Sequence, residues 1–361
     1  MNDEKYMKLA INLAKRGIGH VNPNPLVGAI IVKNGEIIGQ GYHEIYGGLH
    51  AERNAIENCS VSPKGATMYV NLEPCCHQGK TAPCVEAIIE SGIKQVFVGS
   101  LDPNPLVAGK GVQILKESGI EVITGLLEEE SQKLNEVFFH YIKTSTPFLI
   151  MKYAMTMDGK IATSTGESKW ITGEKARERV HQDRNRYSGI MVGIGTVLSD
   201  DPMLTCRIDA GRNPVRIVCD TRLRTPLDSN LVKSAKDVQT IIATSNTDKI
   251  KHKKYIEAAC QIIVLPKDKD HLDLQALMKE LGKMNIDSII LEGGASLNFS
   301  ALKSGIVRKV HTYIAPKIFG GVSAKTPVDG EGFGKIIDCV KLRRESITYL
   351  GEDILIESEV K

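Results

Sequence analysis

Tryptophan occurs once in this 361-residue chain, and Phe, Trp and Tyr together make up only 5% of it. No apolar run approaches the roughly eighteen residues a membrane span needs, and no tract is of low complexity, which excludes a membrane role. Cysteine is sparse: eight residues over this length form no dense disulfide framework. No signal peptide is expected either. The opening MNDEKYMKLAINLAKRG sets Tyr6, Ala10, Leu13 and Ala14 at helical spacing between charges, without a continuous apolar core. The chain is therefore expected in the cytoplasm, where a local Cys/His cluster reads as metal-binding or catalytic. No basic stripe with interleaved aromatics is present, which counts against nucleic acid as a partner.

With 42% hydrophobic and 25% charged residues, the composition is that of an ordinary soluble globular protein, and the length predicts two cores. Charge divides unevenly. Residues 1–145 hold thirteen Lys and Arg against sixteen Asp and Glu, and the remainder hold thirty-three against twenty-seven, so the second part better suits an anionic ligand. VGAIIVKNGEIIGQGYH reads as two strands joined by Asn34-Gly35, a strong hairpin signal. Helix HAERNAIENC, a strand over 66–72, helix PCVEAIIESG, strand QVFVGS, helix GKGVQILKESG, strand IEVITG and a helix over 127–142 follow. Alternation of this kind predicts an α/β layer architecture. KTSTP at 143–147 is the best linker segment, giving domains over 1–145 and 146–361. A second series then begins, with strands at FLIMKYAMTMDGKIA, GIMVGIG, VRIVCD, TIIAT, QIIVL, SIILEGG and KVHTYIAPKIF and a strand-like finish at SITYLGEDILIES. PNPLV occurs at 23–27 and 103–107, both read as rigid loops.

The segment EPCCHQGKTAPC, residues 73–84, crowds three cysteines among turn formers. A catalytic zinc takes three protein ligands and leaves one position open, and Cys75 and Cys84 supply two thiolates. His50, at the mouth of the HAERNAI helix, is a third. Glu52, two residues on, would sit beside the metal without binding it, as zinc deaminases require of the carboxylate that shuttles a proton to the departing amine. His50-Ala51-Glu52 and Pro74-Cys75 match the deaminase signature except that its second cysteine is displaced to Cys84. A zinc knuckle or buried thiol cluster is the competing reading, weakened because no fourth ligand is evident; Cys76 is taken as a bystander. Lys80 in the longer loop would meet a phosphate or ring carbonyl, or be a solvated charge.

Taken with NPNPLVGAIIV, HAERNAI and DPNPLVAGKG, that segment resembles the deaminase half of the bifunctional deaminase/reductase family of riboflavin biosynthesis. MKYAMTMDGKIAT, ESKWIT, VGIGTVLSDDP, LTCR and LEGGASLN resemble its reductase half. The resemblance implies a three-layer α/β/α domain similar to cytidine deaminases, followed by an α/β domain like dihydrofolate reductase. It implies Zn2+ and NADPH as cofactors, and a phosphoribosylated diaminopyrimidinone as the small-molecule substrate, deaminated and then reduced from ribosyl to ribityl. A homo-oligomer is expected. By the same resemblance His50, Cys75 and Cys84 are zinc ligands and Glu52 the proton shuttle. Asn24, His43 and Lys80 fall on substrate contacts. Ala154, Trp170, Thr196, Asp200, Thr221 and the run Gly294, Ala295, Ser296, Leu297, Asn298, Phe299 and Ser300 fall on the nucleotide. Ser168, Arg184, Leu204, Arg207 and Glu292 fall on the phosphosugar, and Lys152 orients or protonates the sugar.

Read without the resemblance, the second part has no G-x-G-x-x-G after its first strand. LEGGASLN leaves backbone amides facing a phosphate at a helix start, or is a plain tight turn. Trp170 is a nucleotide contact or a core aromatic. Two further functions share the Cys/His chemistry: a nucleic-acid base deaminase, and a zinc-stabilised binding module for which Glu52 would be dispensable.

Overall fold

The structure, a computed structural model, describes residues 3–77, 82–104 and 107–361. It divides into two compact units, Met1–Ser145 and Thr146–Lys361. None of the helices among the described residues is long and apolar enough to cross a membrane.

The first unit is built on β1 (Gly28–Lys33), β2 (Glu36–Tyr42), β3 (Thr67–Leu72), β4 (Gln95–Ser100) and β5 (Glu121–Thr124), in the order β2-β1-β3-β4-β5. β1 runs antiparallel to both neighbours, and β3, β4 and β5 are parallel. Successive side chains of a strand point to opposite faces. Ala29 and Ile31 of β1 join Met68, Val70, Val96 and Val98 in one core, and Ile30 and Val32 join Tyr69 and Phe97 in another. Helices α2 (Ala51–Glu57), α3 (Cys84–Glu90), α4 (Lys110–Glu117) and α6 (Glu136–Thr144) pack on the first face, and α1 (Asp3–Ala14) and α5 (Glu128–Leu134) on the second. The outcome is a three-layer α/β/α sandwich with both sheet faces covered.

One helix was expected over 127–142, but α5 and α6 separate at Asn135. Its buried amide accepts from Leu26 N–H at 2.7 Å and donates to Leu26 C=O at 2.9 Å. Asn71 adds the same kind of clamp, donating to Leu26 C=O at 2.9 Å and accepting from Gly28 N–H at 2.8 Å. The NPNPLV loop is thus tied at two points beside the site.

The second unit carries β6 (Phe148–Thr156), α7 (Glu174–Arg186), β7 (Gly189–Gly193), α8 (Ile194–Asp200), β8 (Val215–Cys219), α9 (Asn230–Lys233), β9 (Thr240–Thr244), α10 (Lys249–Glu257) and β10 (Gln261–Val264). Then come β11 (Lys267–Asp268), β12 (His271–Leu272), α11 (Leu274–Lys283), β13 (Ser288–Leu291), α12 (Ala295–Lys303), β14 (Val307–Ala315), β15 (Leu342–Leu350) and β16 (Asp353–Val360). Nine strands form one sheet, β10-β9-β8-β7-β13-β6-β14-β16-β15, parallel from β10 to β14 and antiparallel beyond. β13 inserts between β6 and β7. In open α/β sheets ligands bind outside the carboxyl ends of strands near such a crossover. The strand-like finish at SITYLGEDILIES is instead the β15–β16 hairpin, turning at Gly351, whose φ of 71° suits glycine.

Candidate active sites

In the first unit β3 runs straight into the cysteine loop, and α2 and α3 start beside it. His50 is the N-cap of α2, with extended backbone, and Cys84 is the first residue of α3. His50 Nδ1 lies 3.4 Å from Cys75 Sγ and 3.4 Å from Cys84 Sγ, and the three donor atoms fall within 4.8 Å of one another. Tetrahedral zinc, with bonds of about 2.0 Å to nitrogen and 2.3 Å to sulfur, sets such donors roughly 3.5 Å apart. The triad therefore fits the ion and leaves its fourth position for water. Cys84 N–H donates to Cys75 Sγ at 3.4 Å. The hydrogen bond with the Cys84 thiol, opposed by burial and helped by His50, holds the Cys75 thiol well below its ordinary range, which favours the thiolate that metal binding needs. Cys76 packs against the apolar core and stands outside the triad.

Glu52 is 3% exposed. Burial first, and then the negative charge of Cys75, push its carboxyl up to about 7. A group balanced at neutral pH can both take and give a proton. His43 Nδ1 donates to Leu49 C=O at 2.9 Å, which leaves Nε2 to accept from Asn24 Nδ2 at 3.0 Å. Burial lowers the His43 pKa, in keeping with that neutral tautomer, and its ring meets His50 edge-on at 5.2 Å. Asn24 and His43 thus stand together beside the triad. Lys80 lies outside the described residues. Two supports were missed from sequence. Arg53 donates from Nε to Ala82 C=O at 3.1 Å and from Nη2 to Pro83 C=O at 2.9 Å, fastening the end of the cysteine loop to α2. Glu73 accepts from three backbone N–H groups of the 102–112 segment.

In the second unit a cleft of about 640 Å³ opens at the carboxyl ends of β7, β8 and β13. Thr196, Asp200, Thr221, Gly294, Ala295, Ser296, Leu297 and Ser300, all expected at the nucleotide, line it, as does Ser168, expected at the sugar. Gly293 and Gly294 make the turn into α12 at φ 150° and 94°, values that side chains rarely adopt. Asn298 and Phe299 face elsewhere. Asn298 is buried and donates to Pro327 C=O at 2.8 Å, and Phe299 is buried against Phe333. Trp170 is no core aromatic: it is 62% exposed, with the Arg177 guanidinium 4.8 Å from its ring. Ala154 packs against the Tyr313 cluster. Arg222 and Arg224, not singled out from sequence, also line the cleft.

Arg184 on α7 and Glu292 after β13 form a two-pronged ion pair, Nε to Oε1 and Nη2 to Oε2, both 2.8 Å. Arg184 Nη1 also donates to Thr205 C=O at 3.0 Å. That bond draws in the segment carrying Leu204, whose side chain is buried and whose φ is 51°, and the exposed Arg207. Lys152 on β6 is influenced by Glu292 and Arg184; burial lowers its pKa and Glu292 opposes the fall. Three residues expected at the sugar, Lys152, Arg184 and Glu292, are thus one electrostatic cluster.

Residues 1–100 match the cytidine and deoxycytidylate deaminase zinc-binding region, and residues 147–356 match the RibD C-terminal domain. The riboflavin biosynthesis protein RibD of Actinobacillus pleuropneumoniae is 57% identical over 357 residues, covering 99% of this chain and 95% of that protein. RibD of Bacillus amyloliquefaciens is 44% identical, covering 98% and 95%. Among solved structures, a diaminohydroxyphosphoribosylaminopyrimidine deaminase/5-amino-6-(5-phosphoribosylamino)uracil reductase from Thermotoga maritima superposes with a TM-score of 0.88 at 39% identity, covering 99% of each chain.

Proposed function

Because the chain belongs to the RibD family of riboflavin biosynthesis, whose members pair a deaminase with a reductase, we propose that its two units divide the two reactions between them. The enzyme is bifunctional and uses zinc and NADPH. In this reading Met1–Ser145 deaminates the diaminopyrimidinone bearing a phosphoribosylamino arm, and Thr146–Lys361 reduces the aminouracil that results. The observation that carries the first assignment is Glu52, buried beside His50, Cys75 and Cys84.

When bound, zinc acts as a Lewis acid that makes water nucleophilic near neutral pH. Glu52 accepts a proton from the attacking water and passes it to the departing amine, so that ammonia leaves and a carbonyl remains. His43, held neutral between Leu49 and Asn24, lines the substrate side of the site and fixes the Asn24 amide, whose remaining groups hydrogen-bond the ring edge and orient it. In the second unit Gly294–Leu297 and Thr196 hold the dinucleotide, and Arg184, Arg207 and Ser168 hold the phosphosugar. When bound, NADPH supplies the hydride. That hydride would reduce C1′ of the opened ribose; Lys152 would give the matching proton to the atom doubly bonded to C1′, and solvent would restore it.

Incubation with the phosphoribosylated diaminopyrimidinone, followed by mass spectrometry, tests the assignment. Without NADPH the product should have exchanged an amine for an oxygen; with NADPH it should also have gained two hydrogens. Glu52→Gln should retain stoichiometric zinc while deamination falls about 10²–10⁴-fold. Deamination near the wild-type rate would remove Glu52 from the mechanism, whereas zinc held by a parent chain that does not deaminate would favour a binding module.

The finer parts of the reading are a cytoplasmic enzyme that self-associates and does not act on nucleic acid. The net negative first unit supports the last point. Self-association is supported by the edge strand β15, which exposes Leu342, Ile347 and Tyr349. Sedimentation equilibrium of Tyr349→Lys against the parent chain tests it.

A further inference from the structure

Beneath Lys152 the second unit buries a group of charges that the two reactions do not by themselves require. Lys152 on β6 is in register with His311 on β14, and His311 with Glu357 on β16, so the three side chains share one sheet face. From α7, Asp183 reaches down to the same face and is 2% exposed. Its Oδ1 accepts from Arg179 Nε at 3.2 Å, its Oδ2 accepts from Tyr313 Oη at 3.4 Å, and His311 Nδ1 lies 3.4 Å from Oδ2. Arg179 and His311 both close on Glu357, at 3.0 and 3.5 Å. The Tyr313 side chain is fully buried, and the Lys152 ammonium stands 5.4 Å from its ring centre.

We propose that Asp183 is a positioning residue of the reductase centre, anchored by Arg179 and His311, that holds the Lys152 ammonium in place through Tyr313. Around the Lys152 ammonium stand the cations Arg184 and Arg179, the anions Glu292, Asp183 and Glu357, and the imidazole of His311 between Asp183 and Glu357. Burial drives Lys152 toward the neutral amine, Glu292 opposes this more than Asp183 does, and Arg184 adds to it. His181, one α-helical turn before Arg184 on α7, also senses Lys152. Glu292, paired with Arg184, sustains the charge from one side, and Asp183, paired with Arg179 and bonded to the Tyr313 hydroxyl, adds to it from below. A ring face beneath an ammonium has the same sign of effect. Lys152 thereby keeps the proton it must deliver, in a site dry enough to strip it.

The inference rests on Lys152 as proton donor, and the test separates the two. Trace acylation of Lys152 in the full-length chain, followed by mass spectrometry across pH, reads its protonation without cofactor or substrate. Asp183→Asn should lower the labelling midpoint by about one pH unit or more. The alkaline fall in reductase kcat should move the same way, with KM for the phosphosugar within about twofold and deamination unchanged. Tyr313→Phe, which keeps the ring and removes only the hydroxyl, should move the midpoint in the same direction by less; it decides the matter if Asp183→Asn does not fold. An unmoved midpoint in a folded variant overturns the proposal, as does a kcat that falls equally at every pH. Lys152→Met that still reduces its substrate would overturn the role of Lys152 instead, with the labelling result still deciding that of Asp183.

Discussion

Glu73 anchors the metal loop without touching the metal. Its carboxylate is buried, with Oε2 accepting from Asp102 N–H at 3.2 Å and Gly109 N–H at 2.9 Å, and Oε1 from Val112 N–H at 3.1 Å. Pro74 and Cys75 follow directly, so this carboxylate sets where the loop leaves β3. Glu73→Ala would strand two buried donors and a half-buried one and should cost roughly 3 kcal/mol. The expected result is a lower Tm by calorimetry together with weaker zinc retention on dialysis against a chelator, while reduction of the pre-deaminated substrate continues. His50, Cys75 and Cys84 are legible in sequence because metal donors are few in kind, and Glu52 because it follows His50 in the first turn of α2. Glu73 opens the same cysteine-rich segment, yet its role is invisible there: its partners come from a distant segment and are backbone groups, which carry no residue signature. Asp183 is hidden for the same reason, since strand register brings His311 and Tyr313 to it.

At the scale of elements, α4 comes so close to the cysteine loop that only glycine fits. A Cβ on Gly111 would stand 2.2 Å from Pro74 C=O and 3.2 Å from Glu73 Oε1. Gly111→Ala must push the loop or the helix aside. Deamination should therefore fall by an order of magnitude or more, since misplacement of about 1 Å costs about 10²-fold, with zinc content dropping in parallel and reduction unaffected. Wild-type deamination in this variant would show that the loop moves without consequence for Cys75. The strands here were readable because β1, β3 and β4 alternate between two buried faces. The break between α5 and α6 was not readable, because what ends α5 is the Asn135 side chain turning to Leu26 on another element. The closing hairpin was missed for a simpler cause: β15 is an edge strand with much of its surface exposed, and LRRE carries no apolar period.

At the scale of the whole molecule, each unit closes its own cores. The clusters around Ile31 and Tyr69 draw only on residues up to 142, and those around Met191, Ile242 and Tyr313 only on residues from 149 onward. Cores that share no residue should survive separation. A fragment of residues 1–145 is expected to fold, hold zinc and deaminate, because His50, Glu52, Cys75 and Cys84 all lie inside it. A fragment of residues 146–361 is expected to bind NADPH more tightly than NADH, since Arg222 and Arg224 line its cleft and a guanidinium pairs a 2′-phosphate through two hydrogen bonds. Titration calorimetry with each dinucleotide measures that preference. Solubility alone decides little, because cutting exposes whatever surface an interface had covered. Activity decides. If the first fragment is folded and zinc-loaded yet cannot deaminate, the second half completes its site, and the division at 145 is a seam in the structure without being a boundary between functions.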